Sequence, residues 1–234
     1  MKSLSIAFSA ALLASSSFAA DPFTDAVQQA YGPYRVALFN TNGKSQPDSQ
    51  LALQQAMQAW EKYVRPLSIK AGAPYDRDPD FNKSLAEVEK AYAKAQQQVA
   101  ANQLAEAHET LENVRDVLAD LRQRNQVVVF SDHMNAYHAE MEKVLGAGAS
   151  GLSNPRGLAQ LTAHSGTLLY LVQRMQTQAT SELTRNSDFQ QAVSAVEKSV
   201  VDLQTACFAQ DIEAVKTALS RIKGPYSKLF LNFG

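Results

Sequence analysis

The sequence holds a single cysteine, Cys207. No intrachain disulfide can form, so the fold must stand on its apolar core. One cysteine also excludes the Cys-x-x-Cys-His motif that attaches a c-type haem. A charge excess of either sign is missing too, with 22 basic residues against 23 acidic ones. Without a basic stripe to neutralise phosphates, nucleic acid is not an expected partner. No apolar run reaches the roughly 20 residues of a membrane helix, so no membrane span is expected. Strand signals are nearly absent: Val127-Val128-Val129-Phe130 is the one β-branched run, and it reads as the start of a helix. No Gly-rich phosphate loop and no nucleophile elbow occur. The carboxylates scatter along polar faces, and the reading is non-enzymatic.

What is there is helical. Ala, Leu, Gln, Glu and Lys dominate, and their apolar members recur at spacings of three and four. Leu104, Ala107, Leu111, Val114, Leu118 and Leu121 form one such stripe. Turn chemistry breaks the pattern at Asn42-Gly43 to Asp48, Pro66 to Pro79, Ala101-Asn102, Asn125, Gly146 to Pro155, Thr180 to Asp188, and Gln210-Asp211. That divides an all-α chain into about eight helices. Residues 1–20 stand apart. Lys2, the apolar run Leu4 to Leu13 and the small residues Ser17-Phe18-Ala19-Ala20 read as a secretory signal cleaved near Ala20. The expected location is the periplasm.

The chain repeats itself. From Phe81 and from Phe189, at an offset of 108 residues, Leu85 matches Val193, Val88 matches Val196, and Glu89-Lys90 matches Glu197-Lys198. Leu104 then matches Ile212, and Leu111 matches Leu219, with no gap. The expected organisation is two tandem four-helix repeats, 21–125 and 126–234. Amphipathic helices joined by short loops pack as antiparallel bundles. In this architecture the chain resembles the periplasmic four-helix-bundle cytochromes. That resemblance implies four helices per unit and, in the non-covalent haem type, a Met ligand in the first helix and a His in the last. Met134 lies in the first helix of the second unit, but its last helix, Ile212 to Lys223, has no His.

Chemistry concentrates between His133 and Met141, which hold two histidines and two methionines. At 100° per residue His133 and His138 fall about 140° apart, so one helix does not offer both to a single ion. Met134, His138 and Met141 do share a face. A hairpin to the next helix places His164 level with Tyr137, within reach of Met134 and His138. The preceding hairpin brings His108 and Glu112, four apart on one face, to the same level from the other side. The candidate metal ligands are therefore His138, Met134, Met141, His164, His133, His108 and Glu112. Thioether with imidazole suits copper, Cu(I) especially, whereas His with Glu suits zinc or iron. Haem held by Met and His ranks behind copper. The functional expectation is a binding protein for a metal ion. The alternative is a cofactor-free module for a periplasmic protein partner, with Met134 and Met141 as ordinary core filling. Three Pro-Tyr pairs, Pro33-Tyr34, Pro74-Tyr75 and Pro225-Tyr226, read as structural corners with the hydroxyls at the surface.

Overall fold

A computed structural model describes residues 21–43, 45–69, 72–152 and 155–234. The expected signal at 1–20 lies outside the described residues, as does Asn154, in the break expected before Pro155. The chain is all-α, and among the described residues there is no strand. Its helices are α1 (Pro22–Asn42), α2 (Gln46–Ala59), α3 (Phe81–Ala100), α4 (Leu104–Arg124), α5 (Phe130–Gly151), α6 (Pro155–Gln178), the short α7 (Ser181–Arg185), α8 (Ser187–Phe208) and α9 (Ile212–Phe233). None of these is long and apolar enough to cross a membrane.

Local chemistry sets the ends. The Asp21 carboxylate accepts from the Thr24 amide at 2.8 Å, and Pro22 follows in the first turn. That satisfies an amide with no partner inside the helix. Asn186 and Asp211 cap α8 and α9 in the same way. A π-helical turn, Trp60–Val64, ends α2, and a short 3-10 turn, Arg65–Leu67, follows it. One helix start differs from the sequence reading. Val127 to Val129 are not helical; Val129 is extended and α5 begins at Phe130. Asp132 fixes that point by accepting the Val129 amide at 3.0 Å.

Burial follows the stripes. In α3 the buried side chains are Phe81, Leu85, Val88, Tyr92, Ala95 and Val99; in α8 they are Phe189, Val193, Val196, Val200, Leu203 and Cys207. Each large aliphatic side chain so buried contributes about 1.5–3 kcal/mol. The long helices pack in two sets of four. α1 lies against α2 and α4, and α3 completes the first set against α2 and α4. α5 lies against α6 and α9, and α8 completes the second set against α6 and α9. The first and last helices, α1 and α9, join the two sets.

The break read over Gly146 to Pro155 opens later than its first glycine, because α5 runs on to Gly151 and α6 begins at Pro155. A Cβ at Gly148 would stand 2.6 Å from Leu219 Cδ1. That glycine serves a close approach of α5 to α9 rather than a turn. The three Pro-Tyr pairs also differ from expectation, since all three rings are buried, hydroxyls included. Tyr34 donates to the Leu111 carbonyl at 2.8 Å and Tyr226 to the Met134 carbonyl at 3.1 Å. The Tyr75 hydroxyl bonds Thr24 Oγ1 at 2.8 Å. A buried hydroxyl must find such a partner, and neighbouring backbone carbonyls supply two of the three.

Candidate ligand-binding cleft

α1, α4, α5 and α9 meet around a small cleft of about 50 Å³, room for a few waters or a small ion. Leu38, Phe39 and Phe230 give it apolar walls. His108, Glu112 and Arg115 reach it from α4, His138 from α5, and Lys223 and Tyr226 from α9. Both sets of helices therefore build it. The 3.6-residue turn explains the α4 contribution, because His108, Glu112 and Arg115 lie four and three apart on one face.

Glu112 is the centre. Its Oε1 lies 3.3 Å from His138 Nε2, 3.8 Å from His108 Nε2 and 3.6 Å from an Arg115 guanidinium nitrogen. The bond from His138 holds the carboxyl down from its ordinary 4.5 to about 2, with Arg115 and His108 helping and burial opposing. Glu112 is thus ionised across the physiological range. His108 Nδ1 lies 3.0 Å from the Leu38 carbonyl, which can only accept, so Nδ1 carries the proton. Burial pushes the His108 pKa below the ordinary histidine range; Lys223 and Arg115 push the same way against Glu112. The neutral ring therefore presents the bare lone pair of Nε2 to a carboxylate oxygen. His138 Nδ1 is buried with no hydrogen-bond partner among the described residues. Its ring lies 5.6 Å from that of Tyr226, whose hydroxyl is held far above its ordinary pKa by burial and stays a neutral donor.

Of the seven candidate ligands, the fold gathers His138, His108 and Glu112. Met134 and Met141 are fully buried, and neither lines the cleft. His164 does not reach His138; its Nδ1 lies 2.6 Å from Glu140 Oε1, and Lys143 Nζ lies 3.2 Å from the other oxygen. His133 is half-buried and lies near Arg174, which with burial lowers its pKa. Sequence reasoning missed Arg115 and Lys223, which carry no motif and stand on ordinary helical faces, and it read Tyr226 only as a structural corner. Among the described residues, no three His, Cys, Asp or Glu side chains already close on one point as a metal site. Glu112 instead lies within 4 Å of both imidazoles. No family model matches the chain, and no curated protein or solved structure matches it either.

Proposed function

We propose that the chain is an exported, non-enzymatic binding protein that takes a divalent transition-metal ion in this cleft, through His108 and Glu112, with His138 as third ligand once the proton it donates to Glu112 is released. One observation carries the reading. The His108 lone pair and the Glu112 carboxylate are both acceptors, they face each other at 3.8 Å, and the tautomer of His108 puts no proton between them. A cation placed there removes the repulsion and uses both lone pairs. The Nδ1–H bond to a backbone carbonyl is the outer support that metal-binding imidazoles commonly have. With the thioethers out of reach, the donors are nitrogen and oxygen. They suit divalent copper or zinc, and the general affinity order keeps copper first. Haem remains the lesser reading, since no Met and His pair faces this cleft. The two helix sets are read as tandem copies, 21–125 and 126–234, because the buried stripes of α3 and α8 coincide at most positions at the 108-residue offset.

The test is direct. Protein stripped with chelator is titrated calorimetrically with Cu(II) and with Zn(II), and its metal content is measured after dialysis. One ion per chain is expected, lost in His108→Ala and in Glu112→Gln. Protein that takes up neither ion and gains no thermal stability from them would leave the cofactor-free interaction module. That alternative draws on Phe39, 43% exposed at the rim of the cleft. A Soret band in the purified protein would instead bring haem forward.

A further inference from the structure

We propose that the seam between the two helix sets is wet: a file of ordered water molecules runs inward from the cleft, held by Ser131, Asn135 and His138 of α5, Tyr31 of α1 and Arg122 of α4. The argument starts from the helix turn. Ser131, Asn135 and His138 are four and three residues apart, so at about 100° per residue they share one face of α5. That face looks across the seam, because His138 Nε2 lies 3.3 Å from Glu112 of α4. What meets it there is polar as well. Burial raises the Tyr31 pKa, while Arg122, Arg115 and the Asn135 amide act against it, which puts Asn135 beside the hydroxyl. Six polar atoms of this set are buried with no hydrogen-bond partner among the described residues: Tyr31 Oη, Arg122 Nη1, Ser131 Oγ, Asn135 Oδ1 and Nδ2, and His138 Nδ1. Left dry, six such groups would cost about as much as the whole net stability of a domain. They do not pair along α5, since side chains three or four apart have Cβ atoms about 5–6 Å apart. A water bonded to both spans that gap with two bonds of about 2.8 Å. Arg122 only donates, whereas Asn135 both donates and accepts, and that mixture suits water rather than an ion of either sign. A buried water makes about three hydrogen bonds, so this set asks for roughly two or three molecules. Along α5 the file runs about 10 Å, from His138 at the cleft to Ser131.

The test counts these molecules in the full chain. Oxygen-17 magnetic relaxation dispersion of the solvent reports water that is held longer than the protein takes to tumble. A signal of about two or more such molecules is expected from the wild type. Asn135→Leu removes two of the six atoms and fills their space, so it should lose at least one molecule. Tyr31→Phe supplies a second readout. Deleting a hydroxyl that water satisfies lowers the urea midpoint, whereas deleting a dry one raises it, because an unpaired buried group is removed. A lower midpoint is expected, together with a smaller relaxation signal. No long-lived water in the wild type, a signal untouched by either variant, or a Tyr31→Phe midpoint above that of the wild type would each defeat the inference. The metal reading stands or falls separately, since none of the six atoms is a ligand atom in it.

Discussion

Glu112→Gln tests the electrostatics of the cleft without any ligand. In metal-free wild-type protein the folded carboxyl titrates at about 2 rather than 4.5. A depression of that size corresponds to about 3 kcal/mol of stabilisation of the charged form. The side chain is 30% exposed, and screening reduces the useful part to about 1–2 kcal/mol. The sign follows from linkage. A folded pKa below the unfolded one gives stability that is fully present above the unfolded value, about 4.5, and is lost as pH falls through the folded value, about 2. Glutamine keeps the shape and removes the charge. At pH 7 urea unfolding should therefore show Glu112→Gln less stable by about 1–2 kcal/mol. Between pH 4.5 and 2 the gap should close, because the wild type becomes neutral there as well. Carbon-detected NMR titration of the glutamate carboxyls gives a direct midpoint, which should move up towards the ordinary range in His138→Ala. A wild-type midpoint near 4.5, or a stability gap independent of pH, would refute the reasoning.

Two further outcomes follow from the packing. Arg122 binds both oxygens of Asp132, its side chain only 4% exposed. Asp132→Ala should thus cost about 3 kcal/mol in chemical denaturation by stranding a buried charge, while Arg122→Met with Asp132→Leu should recover most of the loss. Cys207 is 2% exposed and burial raises its thiol pKa, so an aromatic disulfide reagent should label it only at the rate of unfolding.

The helices were legible in the sequence because their signal is periodic, and burial of one stripe per helix is what a bundle core requires. The stripes of α3, α4 and α8 are buried as read. Where the reading failed, a local signal was weighed without its tertiary setting. Gly148 suggests a turn until Leu219 is placed against it, and a tyrosine after proline suggests a surface hydroxyl until Leu111 or Met134 offers a carbonyl. The site was legible only in part. His108 and Glu112 share a helix face by simple arithmetic, and hairpin register brought them near His138. The pairing of His164 with Glu140, and the arrival of Arg115, Lys223 and Tyr226, depend on how helices rotate about their axes when packed. Periodicity in one dimension does not encode that rotation.

Arg35, near the middle of α1, donates to the carbonyl of Phe230, 195 residues later. Tyr31 meets the same phenylalanine edge-on. The seam between the helix sets is thus closed by residues nearly two hundred positions apart in sequence. Until they meet, α1 has one side uncovered, and contacts of such long separation form slowly.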